Sequence, residues 1–457
     1  MKLRIAAVSV LAALMGSSGT VGAVEDGCPA GTVDTAPSGG DAYSTFFDEF
    51  VVAVGTSATC DLAVDTGAPH AADVFVVYSA DYRGFMTLAD GETGTLVVTH
   101  NGIVDENAYV GLYDDDLLYR NYVASDVGGI LSSNITLDIT DSADGSSGAA
   151  LDSIDYALAA TTTLGSVQSS IDSLAVGQTA IVTHLGTTAD LVTGANEPFE
   201  RPDSIGVLGA LGSYSFAFNG HLNVSDGIAL DAGAALFSQS VGGSSATGGL
   251  VAGSVRYIVP GSQGFRPYAK FELHAAPAVA MTFSRHYDDG SASGTTAVGT
   301  TTGSVFGGYL EAGALFAPTP DDEIVFSGTL IADWLSVSGY SESFGADNLF
   351  AAQVAPSSST FETAKLGVAW TRKLSDDLDA TLSAALGHSF AQGAVVSDVA
   401  FVGPINSAAK GEGFVRYGVR LGWQINPATK VDAFAYGATG AISGSHVQVG
   451  GAVHTSF

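Results

Sequence analysis

Nine histidines, two cysteines and 47 acidic side chains are the residues of this 457-residue chain whose types suit chemistry. Their spacing gives chemistry little to work with. No G-x-S-x-G, H-E-x-x-H or phosphate-binding P-loop pattern occurs. His70 and His100 sit among so many aspartates that no particular Ser-His-Asp set stands out, and His184 and His221 read as structural. The stretch YDDDLLY (Tyr113 to Tyr119) gathers oxygen ligands but lacks the D-x-[DN]-x-[DN]-G loop with its distant glutamate. No metal site, cofactor or enzymatic activity is therefore expected. Cys28 and Cys60 show no C-x-x-C spacing and read as one disulfide of an exported chain, with a redox or metal pair as the alternative.

The other residues of chemical interest are charges at alternating positions of strand-like segments. Asp231, Arg256, Arg266, Lys270, Glu272, Glu311, Asp333, Lys365, Glu412, Arg416 and Arg420 fall on the polar side of such segments. On a barrel wall that side faces the lumen, where charges tune ion passage, pair with a plug or satisfy one another across strands. Glu311, Asp333, Lys365, Arg416 and Arg420 are taken as the lumen set. Arg416 and Arg420, about 13 Å apart along one strand, are expected to contact a helix inside the barrel.

The elements that would hold these charges follow from composition and period. Mean hydropathy is +0.30 with only 14% charged residues and 58 glycines. Beyond the first residues, however, no uninterrupted apolar run reaches the roughly 18 residues of a membrane helix. Apolar residues spread over many alternating segments are what a membrane β-barrel requires. The net charge of −31 argues against nucleic-acid binding. Between residues 24 and 150 there are 21 acidic residues, two arginines and no lysine, consistent with a solvated acidic surface.

Lys2 and Arg4, an apolar stretch from Ile5 to Met15, and Val21-Gly22-Ala23 form a secretory signal over residues 1–23. Residues 24–150 carry short strand-like runs separated by Gly, Asp, Asn and Ser turns, without an internal repeat, and predict a small β-rich, sandwich-like exported domain. DSADGSSGAA (Asp141 to Ala150) reads as a flexible boundary. Over 151–200, Val167, Ile171, Leu174, Ile181 and Leu185 share one helix face, with Ser, Thr, Gln and Asp on the others. A helix of about 18–20 residues would measure roughly 27–30 Å, near the bilayer core thickness. Its polar faces suit a water-lined pore better than lipid; a surface helix or stalk is the alternative.

From 201 to 457 strand alternation dominates. Val415, Tyr417, Val419, Leu421, Trp423 and Ile425 oppose Arg416, Gly418, Arg420 and Gln424, and the same code recurs around Leu378–Leu386 and Ile324–Trp334. Short links (225–227, 260–264, 318–322, 375–377, 426–428) alternate with longer ones near 286–301, 341–357 and 393–410. The apolar face switches parity at Gly212-Ser213, which marks a hairpin or a bulge there. A hairpin gives twelve strands, the last closing on the first; a bulge gives eleven. Twelve is the expected count. The fold class is therefore all-β: a C-terminal transmembrane antiparallel barrel of about 12 strands with a pore helix and a small N-terminal β-rich domain.

This order of parts resembles the autotransporters of type V secretion. SSIDSLAVGQTAIVTHLGTTADLVTGA (Ser169 to Ala195) is similar to the linker helix that precedes such barrels, and GSYSFAFNGHLNVSDGIALDAGAALFSQS to their opening strands. The resemblance implies an outer-membrane barrel that displays an N-terminal passenger at the cell surface. It also implies recognition by the barrel-assembly machinery through the last strand, with Val453 and Phe457 as the signal. Thr455 stands where that pattern favours an aromatic, and Ala452 where it favours glycine. The EVNNLN cleavage sequence of one subgroup is absent, which points to a passenger that stays attached. Implied partners are outer-membrane lipid, the assembly machinery and a host or surface ligand of the passenger. The competing reading is an outer-membrane channel or structural barrel with a periplasmic N-terminal domain. A third makes the passenger an adhesin or, less favoured by its residues, an enzyme.

Overall fold

The computed structural model describes residues 34–37, 42–53, 57–65, 69–87, 93–100, 103–110, 115–125, 127–140, 148–194, 199, 201–211, 214–241, 243–261, 264–441 and 444–457. The chain forms two compact units, Met1–Thr161 and Thr162–Phe457. The expected signal segment and Cys28, and with it the Cys28–Cys60 pairing, lie outside the described residues; Cys60 falls on the third strand.

The first unit contains β1 (Asp34–Pro37), β2 (Ala42–Ala53), β3 (Ser57–Asp65), β4 (Val74–Thr87), β5 (Thr93–His100), β6 (Ile103–Val110), β7 (Asp115–Ser125), β8 (Ile130–Thr140) and β9 (Gly148–Thr163). Their order is β1-β2-β9-β4-β7-β8-β5-β6, with β3 also paired to β8. Along residues 135–138, β8 is paired by β3 and by β5. β7 meets β8 only at Ser125↔Leu131. Among the described residues the nine strands thus form one connected sheet, in which β7 meets β8 at a single bridge. The first unit is therefore β-rich, as expected. Val76, Val77, Tyr78, Val123, Leu131 and Tyr156 are buried in it.

The expected boundary near residue 150 is corrected here. Residues 151–163 are not helical; they belong to β9, which pairs with β2 from Ala42↔Ala157 to Ala53↔Gly148. The helix, α1 (Leu164–Val192), starts only where the Thr163 side chain accepts a hydrogen bond from the Ser166 amide. Thr161, Thr162 and Thr163 favour the extended state through their branched Cβ, and Thr163 is also a good cap. Pairing with a strand a hundred residues away decides the rest, which local period does not reveal.

The second unit continues through β10 (Ser204–Leu211), β11 (Tyr214–Ser225), β12 (Ile228–Val241), β13 (Ser244–Ile258), β14 (Gly264–Tyr287), β15 (Thr295–Thr319) and β16 (Asp322–Val337). Next come β17 (Tyr340–Ser341), β18 (Ala352–Val354), β19 (Ser357–Ser375), β20 (Leu378–Gln392), β21 (Ala394–Val399) and β22 (Gly403–Ala408). The chain ends with β23 (Glu412–Asn426), β24 (Thr429–Gly440) and β25 (Gly444–Ser456). Twelve of these close into an antiparallel barrel in the order β10-β11-β12-β13-β14-β15-β16-β19-β20-β23-β24-β25. β10 and β11 pair antiparallel from Ser204↔His221 to Ala210↔Ser215, so the parity switch falls between two strands and not within one; Gly212 and Ser213 themselves lie outside the described residues. β25 closes on β10 from Ser204↔Ser456 to Leu211↔Val449, as the even count requires.

The wall alternates as expected. Leu366, Leu236, Leu330, Leu386, Trp423 and Phe390 are among the large apolar side chains exposed on its outside, while Asp231, Lys270, Glu272, Asp333, Glu412 and Arg420 are buried on the inside. An apolar exterior on a closed sheet with no free edge is the solution that lipid imposes on strands. No helix of the described residues is long and apolar enough to cross a membrane.

One end of the barrel carries the short links 226–227, 320–321, 376–377 and 427–428 and residues 259–261, together with Ser204 and Ser456. The other carries the connections 288–294, 338–356 and 393–411. Two of these fold into a second sheet, β17-β18-β21-β22, at the loop end. Strands β14 and β15, of 24 and 25 residues, exceed the roughly 9–11 needed to span a bilayer and project at that end.

Candidate functional site: the helix-filled lumen

The helix is the central feature. Its 29 residues measure about 43 Å, more than a bilayer core. Beside the stripe of Val167, Ile171, Leu174, Ile181 and Leu185, the residues Ala175, Thr179, Ala180 and Val182 on the other faces are buried too, so burial runs round the middle of the helix. The polar faces are buried because the wall surrounds them. α1 lies against β11–β14 on one side and against β16, β21 and β22 elsewhere. Close approach on the first side depends on small residues. A Cβ on Gly177 would fall on the Ser244 side chain, and one on Gly233 would meet Val192 and the Phe218 carbonyl.

The helix runs from the loop end to the turn end. Near its start, Ser166 Oγ accepts from the Asp288 amide at 2.8 Å, and Gln168 Nε2 donates to the Asn406 carbonyl at 3.1 Å. Lys410 Nζ reaches Asp172 at 2.6 Å, and Thr179 Oγ1 donates to the Lys410 carbonyl at 2.7 Å. Midway, Gln178 bonds Ser357 and Ser359, and Gln239 donates to the Ile181 carbonyl. At the far end Thr193 Oγ1 donates to Glu272 at 2.5 Å, and Lys270 Nζ lies 3.4 Å from the same hydroxyl. Gly194, at φ +63°, ends the helix in the left-handed conformation common at a C-terminus, and the Arg201 guanidinium fills the space a Cβ would take. The chain then enters β10 at the turn end.

Two of the five lumen residues singled out from sequence converge on the helix. Arg416 Nη1 donates to Asp190 at 2.8 Å and its Nη2 approaches the Thr183 carbonyl at 3.4 Å; Lys365 Nζ lies 3.8 Å from Asp190. The others are placed by bonds within the wall. Arg420 donates to Asp379 at 2.7 Å and Asp432 at 2.6 Å, on β20 and β24, in place of the expected helix contact. Glu311 accepts from Tyr268 at 2.8 Å and from Thr329 at 3.0 Å. Asp333 lies 2.9 Å from His274 Nε2. A similar post holds the turn end, where Asp231 is bonded by Arg201, His221 and Ser254. Val453 and Phe457 both face outward, and the Phe457 amide donates to the Asp203 carbonyl at 3.3 Å.

Sequence reasoning missed Asp172, Asp190 and Lys410, because each is a lone charge in a polar segment whose partner lies more than 170 residues away. It also missed the loop-end node. Arg285 Nε and Nη2 donate to the two carboxylate oxygens of Glu342 at 2.7 and 2.6 Å, and Nη1 donates to Ser170 Oγ at 3.1 Å. Nη2 also reaches the Phe350 carbonyl, and the Ala352 amide donates to Glu342 at 2.8 Å. This node ties the long hairpin, the loop-end sheet and the helix together. His184 of the helix and His446 of β25 lie with ring centroids 3.7 Å apart and planes tilted by 34°. Among the described residues no group of three or more His, Cys, Asp or Glu is arranged to hold a metal ion.

The helix does not fill the whole lumen. A cavity of about 150 Å³ beside it is lined by Asp190, Arg256, Lys270, Glu311, Lys365 and Arg416. A wider one of about 430 Å³ lies at the turn end, among Arg201, Arg266, Asp379, Arg420, Lys430 and Asp432. The wider of the two thus lies at the turn end, while at the loop end the helix, the second sheet and the Arg285 node meet.

Residues 20–165 match a family described as a domain of unknown function (DUF4360). That match ends beside the start of α1. No curated protein matches the chain. Among solved structures, the barrel is similar to the translocator domain of the autotransporter NalP from Neisseria meningitidis, at 11% identity and a TM-score of 0.43, covering 61% of this chain and 97% of that one. It is similar also to the beta domain of the Bordetella autotransporter BrkA (16% identity, TM-score 0.37, 56% and 100% covered) and to the NanC porin (10%, 0.32, 56% and 100%). The described residues of 162–457 form a closed barrel of twelve antiparallel strands with an apolar exterior and one helix inside.

Proposed function

We propose that the barrel is a translocator that anchors its own N-terminal unit and displays it at the surface of a bacterial outer membrane. The observation that carries this reading is the direction of α1. The start of α1 is bonded to the loop-end connections and its far end to β14 toward the turn end, so the chain enters the helix at the loop end of the barrel. In outer-membrane barrels the short turns face the periplasm and the longer loops face outward. A chain that leaves through the loop end leaves toward the exterior. In this reading the lumen cations Lys365, Lys410 and Arg416 hold Asp190 and Asp172 of the helix as a plug, residues 1–23 direct export, and the passenger remains attached. The assembly machinery reads the last strand through Val453 and Phe457. The displayed unit acts by binding a host or surface ligand, not by catalysis.

The test is accessibility. An epitope tag placed at residue 24 should be removed by external protease on intact cells. A tag that survives until the outer membrane is breached overturns the reading in favour of a periplasmic N-terminal domain. Planar-bilayer recording gives a second arm. The intact chain should conduct little and a variant lacking 164–194 should conduct steadily; a steady large conductance from the intact chain favours a channel.

A further inference from the structure

Arg256 stands on the inner side of β13, and its cross-strand neighbours are Ala229 of β12 and Lys270 of β14. Neither is a carboxylate, and Lys270 itself lies 3.6 Å from Glu272. Two carboxylates act on Arg256 through space, Asp231 and Glu323, and both are bonded elsewhere. Asp231 is held by Arg201, His221 and Ser254, and Glu323 accepts from the Phe199 amide at 2.8 Å. Among the described residues Arg256 makes no hydrogen bond and no ion pair within 4.0 Å. Its guanidinium lies instead over the Phe199 ring, 4.0 Å from the centroid, and that ring packs edge-on against Tyr268 at 4.5 Å. The stack holds the guanidinium plane and uses none of its five N–H donors.

Beside it, at the turn end, lies a cavity of about 560 Å³ lined by Arg201, Arg256 and Arg266. Among the described residues its one acidic lining residue is Asp226, exposed in the turn between β11 and β12. In a chain of 47 acidic and 16 basic residues, three arginines to one aspartate is the reverse of the composition. The 430 Å³ cavity at the same end shares Arg201 and Arg266, but Asp321, Asp322, Glu323, Asp379 and Asp432 line it too, so its charges answer one another. We propose that the Arg256 cavity binds a phosphate group. Guanidinium is the side chain whose planar fork matches oxyanions. A carboxylate has two oxygens in one plane and is satisfied by one fork, whereas a phosphate presents oxygens in several directions. Here the guanidiniums come from three directions: the segment before β10, β13 and β14. Ala229 and Ile258 form a buried wall, and Gly227, Pro260 and Gly261 form the rim, so the ligand enters from the turn end. Free phosphate and the headgroup of a phospholipid share this chemistry, and two titrations separate them.

The full chain, purified in detergent and phosphate-free buffer, is titrated calorimetrically with inorganic phosphate and, separately, with dihexanoyl phosphatidylglycerol. Saturable binding of inorganic phosphate at one site assigns the cavity to a soluble phosphate; binding of the lipid alone assigns it to a headgroup. Saturable binding of neither overturns the proposal. Arg256→Gln should weaken the probe that binds by about tenfold or more. Ala229→Glu sets a carboxylate directly across from Arg256 and should abolish binding while leaving no guanidinium unpaired, so the site stays testable if Arg256→Gln assembles poorly. Arg372→Gln, at the same end but on the outward side of β19 with Leu366 and Trp370, should bind as wild type does. Unchanged affinity in both Arg256→Gln and Ala229→Glu overturns the proposal. So does an equal loss in Arg372→Gln, which would make the binding a diffuse effect of net charge.

Discussion

Replacing Arg285 by methionine should undock the loop-end sheet from the helix while leaving the barrel closed. Arg285 and Glu342 are 0% and 1% exposed, and the guanidinium supplies two short bonds to the carboxylate. It supplies further bonds to Ser170 and to the Phe350 carbonyl. Without it, the Glu342 carboxylate stays buried with only the Ala352 amide bonded to it. Breaking a buried ion pair by removing one partner costs about 3–5 kcal/mol, because the remaining charge is left uncompensated. That cost falls on β17, β18 and their connection, where Glu342 and the Phe350 carbonyl lie; Arg285 stands near the loop end of barrel strand β14, whose backbone ladder to β15 does not depend on its side chain. A local opening cost reduced by about 3–5 kcal/mol is a rise of roughly two to three and a half decades in the open population. Hydrogen exchange of residues 340–354 in detergent-embedded protein reads this directly, with the β19–β20 amides as internal reference. The double variant Arg285→Met with Glu342→Leu should recover most of the protection, since an apolar pair of similar volume is often neutral or better. Unchanged exchange in Arg285→Met, or a double variant as labile as the single one, would refute the claim that this ion pair fastens the sheet.

Asp190→Ala leaves Arg416 and Lys365 without their shared carboxylate; losing one charge-assisted bond costs about 1.5–3 kcal/mol, and bilayer recordings should show more frequent opening than wild type. Gly177→Leu drives a side chain into Ser244 and Phe283; overpacking of about 1–3 kcal/mol or more should lower the unfolding midpoint in urea. In the loop-end connection, burial favours the neutral form of Asp289, but the Ser291 and Thr295 hydrogen bonds outweigh it and hold the carboxyl below its ordinary range. A depressed folded-state pKa gives stability that is present above the ordinary aspartate pKa near 3.9 and lost as pH falls below it. Protease sensitivity of residues 288–294 should therefore rise between pH 4 and the folded-state pKa, and Asp289→Asn should remove that dependence; an identical pH profile in the variant refutes it. Phe457→Asp should cut the amount of heat-modifiable, outer-membrane barrel sharply, and normal insertion would remove Phe457 from the assembly signal.

Much of the barrel was legible because the relevant physics is local. A strand between lipid and a polar lumen alternates every second residue, so Val415 to Ile425 and Val447 to Val453 announced their faces without any knowledge of their neighbours. Even the twelve-strand count followed from a change of parity at Gly212 and the rule that a closed antiparallel barrel is even. The helix was legible only in part. Its apolar stripe was visible, but its full length and buried polar faces depend on a wall that supplies partners, and its start at Leu164 depends on β9 being claimed by β2.

The sequence by itself therefore determined the barrel, its orientation of faces and the presence of a helix, since each is a repeating demand of the solvent on either side. Only the tertiary structure decided which charges meet. Asp190 with Arg416, Asp172 with Lys410, Arg285 with Glu342, and Arg420 turned to Asp379 and Asp432 are each the product of barrel register and helix rotation. A single charge carries no period, so nothing in its own neighbourhood names its partner. Closure of the barrel brings residues hundreds of positions apart within 3 Å, and burial then makes their pairing obligatory.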